Sequence, residues 1–215
     1  MVTLTAESLR DASACSLATA QTWAPHINQA LYLFGIDAAG RAAAFIAQIS
    51  HESSQFTALR ESLRYSTAQR LCAVWPSRFP TVDAAAPFVN NPAALGDKVY
   101  GGRMGNMQPG DGLRYCGRGL IQTTGRAGYC AARDGLRDPV FGLPDVPDFE
   151  VQPEALEQPR WAALSAGLYW RSHKLSALAD RGDIAGITRI INGGDTGLAE
   201  RTALYKIARR TLGVA

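Results

Sequence analysis

Apolar positions along this chain repeat mainly with the period of an α-helix. Over Arg41 to Ser50, Ala42, Phe45, Ile46 and Ile49 fall at i, i+3, i+4 and i+7, the stripe of a core-facing helix. Trp161, Leu164 and Leu168 repeat that pattern in a second buried helix. Thr5 is placed to cap a first helix, and Asp183 to cap one that stops at Asn192-Gly193-Gly194, where glycine accepts the left-handed conformation. Thr196 then begins a last helix through Leu204, Ala208 and Leu212. Strand signals are few, and Gly119 to Thr124 carries the best of them. Pro139, Pro144, Pro147, Pro153 and Pro159 make residues 134–160 an irregular connection. Residues 101–119 are rich in glycine, which lets backbone approach a ligand closely. The pattern predicts a mainly α protein, a single domain over 1–215, with a glycine-rich loop face.

Composition narrows the function classes. A chain of 215 residues, 47% hydrophobic with a net charge of +3, buries a core and is not disordered. No apolar run reaches the ~18 residues of a membrane span, so no stable membrane insertion is expected. A pI near 8.8 favours an anionic surface such as a cell wall but falls short of a nucleic-acid footprint. Cys15, Cys72, Cys116 and Cys130 match no zinc spacing and read as free thiols of a reduced compartment. The N-terminus lacks a basic and an apolar signal segment, so synthesis in the cytoplasm and release by another agent is the expectation.

Two glutamates carry the candidate chemistry. Glu52 continues the Phe45–Ile49 stripe; a carboxyl there is partly desolvated, which favours the proton-bearing form a general acid needs. The plainer alternative is a helix-end glutamate reaching solvent or an arginine. Glu61 stands between Arg60 and Arg64, whose charges favour a carboxylate. Two carboxyls in contrasting surroundings form an acid/base pair. On one straight helix they would lie ~13 Å apart on opposite faces. They cooperate only if the helix ends near Ser53-Ser54 and the chain turns back. His51-Glu52 lacks the second histidine of a zinc-protease helix, and neither Gly117-Arg118-Gly119-Leu120 nor Gly101-Gly102-Arg103 has phosphate-loop spacing, so no metal and no cofactor is expected.

Five ordered segments then carry a resemblance: Ala47-Gln48-Ile49-Ser50-His51-Glu52-Ser53, Glu61-Ser62-Leu63-Arg64-Tyr65-Ser66, Tyr100-Gly101-Gly102-Arg103-Met104-Gly105-Asn106, the run from Gly117 to Arg126, and Ile191-Asn192-Gly193-Gly194. Together they resemble family 19 of the glycoside hydrolases, in its chitinase-like bacterial and bacteriophage endolysin branch, from about Leu17 to Leu212. The resemblance implies an inverting glycosidase with a lysozyme-like, two-lobed helical fold around a groove. It implies Glu52 as general acid, Glu61 as general base and Thr124 as the hydroxyl that holds the attacking water. It implies sugar contact or site support by His51, Arg118, Gln122, Tyr129, Asn192 and Arg201, the last also holding the second carboxylate. The chain departs from the family at Gly128, often asparagine, at Cys116, usually aromatic or arginine, and at Arg64, commonly asparagine; none of these touches the carboxylate pair.

Chitin and peptidoglycan both present β-1,4-linked N-acetylated sugars. Sparse cysteines, no visible signal and no appended sugar-binding module favour peptidoglycan and an endolysin: a monomer, freed by a holin-type partner, that acts on the wall after release. The alternatives are a chitinase on chitin oligomers, a lytic transglycosylase, which needs no second carboxylate, and a non-catalytic wall-binding module, which needs neither.

Overall fold

The computed structural model describes residues 2–214. In chain order its α-helices are α1 (Ala6–Ser13), α2 (Leu17–Leu33), α3 (Ala39–Glu52), α4 (Ala68–Val74), α5 (Val82–Ala85), α6 (Pro92–Tyr100), α7 (Asp111–Arg114), α8 (Arg126–Leu136), α9 (Pro159–Ser172), α10 (Leu175–Ala179), α11 (Ile184–Asn192) and α12 (Leu198–Thr211). The architecture is mainly α, as the residue pattern predicts, and lysozyme-like, as the resemblance implies.

Local chemistry sets several of these boundaries. Thr5 Oγ1 accepts from Ser8 N to start α1, and Asp183 Oδ1 accepts from Gly186 N to start α11. The latter helix ends on Gly193 at φ 74°. The last helix begins later than predicted: Gly197, at φ 75°, precedes Leu198, and Thr196 lies outside it. Residues 139–141 and 153–157 form short 3₁₀ turns within the predicted irregular connection.

No strand forms over Gly119–Thr124. Arg118 pairs once with Arg60 and once with Thr123, and Gly119 to Gln122 make the tight turn between the second pair. Gly119 and Gln122 both adopt positive φ, which ends any extended run.

Two hydrophobic cores result. The larger is centred on α3, whose Ala42, Phe45, Ile46 and Ile49 are all buried. α3 lies along α12 and also meets α1 and α10. Phe45 meets Trp170 of α9 edge-on at 5.4 Å. α9 in turn packs on α2, and only a glycine fits at the crossing: a Cβ on Gly167 would fall 2.3 Å from the Phe34 ring. The smaller core gathers Leu63, Leu71, Phe79, Leu95 and Val99 under α4 to α7. There α6 and α7 touch backbone to backbone, since a Cβ on Gly112 would lie 2.1 Å from Gly96 O. The segments carrying both glutamates run where these two cores meet.

Candidate active site

The turn between the two glutamates is built by α3's own last residues. Ser53 Oγ donates to Ile49 O at 2.6 Å and accepts from Phe56 N at 2.9 Å. Ser54, Gln55 and Phe56 then take consecutive left-handed conformations, at φ 48°, 55° and 68°. None is glycine, so each bears a steric cost that surrounding contacts must offset. Those contacts are present. Gln55 N donates to Ser50 O at 2.7 Å, Ala58 N donates to Ser53 O at 2.8 Å, and Phe56 is buried and stacked on Trp23 at 5.3 Å. The helix therefore ends at Glu52 and the chain turns before Glu61, so the two glutamates do not share one straight helix.

Glu52, the last residue of α3, faces α12. Its Oε1 accepts from Arg201 Nη2, while Arg201 Nη1 donates to Gln48 Oε1 at 2.6 Å. Gln48 and Glu52 are one helical turn apart, so a single guanidinium reaches both. Gln48 Nε2 continues the chain of contacts to Thr188 Oγ1 at 3.3 Å. Arg201 is 1% exposed, and its Nε has no partner among the described residues. This corrects two expectations: Arg201 holds the first carboxylate, not the second, and it is too buried to contact a sugar. Glu52 Oε2 has no protein partner among the described residues and is left for a ligand.

Glu61 is held by different chemistry. Its main-chain N donates to Gly117 O at 2.8 Å, and Gly117 N returns a bond to its Oε2 at 3.1 Å. Tyr100 Oη donates to Oε1 at 2.7 Å. Burial, then the adjacent Glu61 charge, pushes the Tyr100 phenol well above its ordinary range, so it remains a donor. The same two influences raise Tyr65, which meets Trp75 edge-on nearby. Arg60 and Arg64 are exposed, and neither pairs with Glu61 among the described residues. A hydroxyl and a backbone N–H replace the expected arginines.

Gly117 is the point where the remaining polar groups converge. A Cβ there would lie 2.7 Å from Gln122 Oε1 and 3.4 Å from both Glu61 Cβ and Thr124 Oγ1. The structure thus brings Thr124 and Gln122 beside Glu61. Thr124 Oγ1 donates to Gln122 O at 2.8 Å, so toward a ligand it acts as an acceptor. Gln122 Nε2 donates to Gly119 O at 3.0 Å.

Arg118 and Tyr129 belong behind this surface. Tyr129 is fully buried, and its hydroxyl donates to Cys116 O at 2.6 Å. Arg118, 3% exposed, bonds that hydroxyl, Arg114 O and Glu157. They brace the 114–123 loop and are too buried to touch a sugar, so of the two expected roles the structure leaves them support and corrects the contact. His51 is half-buried beside Arg201 and against Gly197, and burial first, then the arginine charge, holds its imidazole below the usual range. Asn192 is exposed at the end of α11, its Nδ2 directed at Gly194 O at 3.4 Å.

Tyr100, Gly117 and Gln48 are the functional positions that residue reasoning did not single out. Tyr100 and Gln48 lie inside the quoted segments, yet nothing local tells which carboxylate each serves.

No family model matches the chain. A Haemophilus influenzae protein described as "Glycosyl hydrolase family 19 domain-containing protein" is 33% identical over 168 residues, covering 76% of each chain.

Proposed function

The chain belongs to glycosyl hydrolase family 19, and we propose that it hydrolyses β-1,4 bonds between the N-acetylated amino sugars of bacterial peptidoglycan with inversion at the anomeric carbon. The observation that carries this reading is the pair of carboxylates on either side of the left-handed turn. Each is fixed by its own partners, Glu52 by Arg201 and Glu61 by Tyr100 and Gly117.

In this reading Glu52 is the acid. With Oε1 held by Arg201, its Oε2 carries the proton to the glycosidic oxygen, and the bond to the leaving sugar breaks. Glu61 is the base. It takes a proton from a water that attacks the anomeric carbon from the opposite face, which calls for a separation of ~6.5–9.5 Å between the carboxyls. Thr124 Oγ1, its own proton committed to Gln122 O, accepts the water's second hydrogen and aims its lone pair. His51, Gln122 and Asn192 are proposed to meet or support the sugar chain.

The biological role proposed is that of an endolysin, made in the cytoplasm, released by a holin-type partner and acting on the wall as a monomer. All four cysteines are free thiols and, among the described residues, no helix is long and apolar enough to cross a membrane, which is compatible with that role. The alternative substrate is chitin, which offers the same bond.

The test is product analysis on purified peptidoglycan and on chitin oligomers. Reducing-end muropeptides, with the inverted anomer seen first by NMR, are expected. Anhydro-sugar ends would instead establish a transglycosylase, and intact glycan from both substrates a binding module. Glu52→Gln and Glu61→Gln are each expected to lower turnover by several orders of magnitude with the fold retained by circular dichroism. Near-normal activity in either variant would overturn its assigned role.

A further inference from the structure

A cavity of about 480 Å³ opens beside the Gly119–Gln122 turn, walled by that turn and by α8 and α9. It shares Gln122 and Thr124 with the candidate active site, yet neither Glu52 nor Glu61 lines it. It lies to the side of the carboxylate pair, within the 300–1,000 Å³ range of sites that hold small ligands.

One residue of its wall has no structural reason to be what it is. α8 contains two glycines that line the cavity. At Gly135 a Cβ would lie 2.7 Å from Leu168 Cδ2, so close packing of α8 on α9 explains it. At Gly128 the nearest atom to a Cβ is Thr123 Cγ2, at an ordinary 3.5 Å, and φ is not left-handed. Glycine is among the poorest helix formers, and here neither packing nor backbone conformation calls for it. What Gly128 does is leave the cavity open.

The chemistry of the walls selects the occupant. Among the described residues no aspartate, glutamate, lysine or arginine lines the cavity, and half of its lining is polar but uncharged in kind, Gln122, Ser172 and His173 included. Ala131, Ala132 and Leu168 present alkyl groups to it. Ser165 and Tyr169 commit their hydroxyl protons to Ala162 O and Ile190 O, so toward the cavity they are acceptors. A short chain bearing methyl groups and amide N–H donors fits.

We propose that this cavity receives the uncharged first part of the lactyl-peptide branch on alternate sugars of peptidoglycan, while the sugar backbone stays beside Glu52 and Glu61. Gly128 is then a specificity-determining residue. The proposal rests on the peptidoglycan reading above and deepens it.

The experiment compares wild type, Gly128→Leu and Gly128→Ala on three substrates: glycan strands bearing stem peptides, the same strands stripped by an amidase, and chitin hexamer. Wild type is expected to prefer the peptide-bearing strands. Gly128→Leu fills the cavity and is expected to lower kcat/KM on those strands at least tenfold more than on the other two substrates. Gly128→Ala, which adds one methyl, is expected to follow wild type. Equal losses on all three substrates would overturn the proposal by showing that the backbone uses the cavity, and no loss on any would show that substrate does not enter it. Wild type that cuts chitin but neither kind of strand would overturn the peptidoglycan reading itself, a result distinct from those two.

A second measurement is independent of the variant's folding. Muramyl dipeptide titrated into Glu52→Gln protein is expected to give saturable NMR shifts at the Ala131 and Leu168 methyls. Their absence would overturn the proposal.

Discussion

The Tyr100 hydroxyl donates to Glu61 Oε1 at 2.7 Å from across 39 residues of sequence. It lies at the end of α6, against the smaller core, and takes the place expected for the neighbouring arginines. A hydrogen bond to a charged group contributes about 1.5–3 kcal/mol. Tyr100→Phe keeps the ring in place and removes only the donor. Turnover is expected to fall ten- to hundredfold with KM little changed. Steady-state kinetics on a soluble oligosaccharide check this, and a rise in KM with kcat intact would assign Tyr100 to substrate binding instead.

Arg201 is expected to matter for stability as well as for activity. Removing one partner of a buried ion pair typically costs ~3–5 kcal/mol, and the partial exposure of Glu52 points to the lower end of that range. Arg201→Met removes the donor from Glu52 Oε1 and Gln48 Oε1 together, whereas in Glu52→Gln the remaining partner is a neutral amide. Urea unfolding of the two single variants and the double variant is expected to show coupling. Simple additivity would mean that the pair contributes little.

The glycines of the helix crossings make opposite predictions. Gly167→Ala drives a methyl into the Phe34 ring and is expected to destabilise the protein by about 1–3 kcal/mol, as overpacked cores do. Gly128→Ala brings a methyl into ordinary van der Waals contact with Thr123 Cγ2, at 3.5 Å, and is expected to stabilise α8 by up to ~1 kcal/mol. Thermal melts should therefore move in opposite directions. A common direction would show that one of the two local environments differs from that described.

The pH dependence of stability follows from the histidines. His51 is held below its ordinary value by burial and then by Arg201, and His26 by burial and then by Arg160. The unfolded chain therefore takes up protons near pH ~6.5, before the folded one does. Stability should decline as pH falls through that value toward the folded ones. His51→Gln is expected to make the decline between pH 7.5 and 5.5 shallower without abolishing it, since His26 still contributes. Melting curves at the two pH values decide, and an unchanged difference would remove His51 from the account.

The helical skeleton was readable because burial imposes its period directly, as Phe45, Ile46 and Ile49 show. The reversal after Glu52 was also readable, as a condition that the two glutamates impose on the chain. Partner choice was not. Arg201 lies 149 residues from Glu52, and only the packing of α12 on α3 decides which carboxylate it meets. Arg118 stands in the glycine-rich stretch that reads as a loop face and Tyr129 in the helix that follows, but their hydrogen bonds to each other, Cys116 O and Glu157 turn both inward. Short-range pattern registers which face of an element is apolar. It does not register which distant polar group completes a buried network.

The left-handed turn at Ser54–Phe56 has a consequence for motion. Upstream of it, Glu52 is fastened to α12 and moves with the large core. Downstream, Glu61 is fastened both to Tyr100, at the edge of the small core, and to Gly117, whose loop is braced by Tyr129 of the large one. The gap between the two carboxylates therefore depends on how the small core is seated against the large one. Substitutions deep in the small core, at Leu95 or Phe79, would alter that gap without touching either glutamate. The reactive spacing is in this sense a property of core packing at a distance from the chemistry.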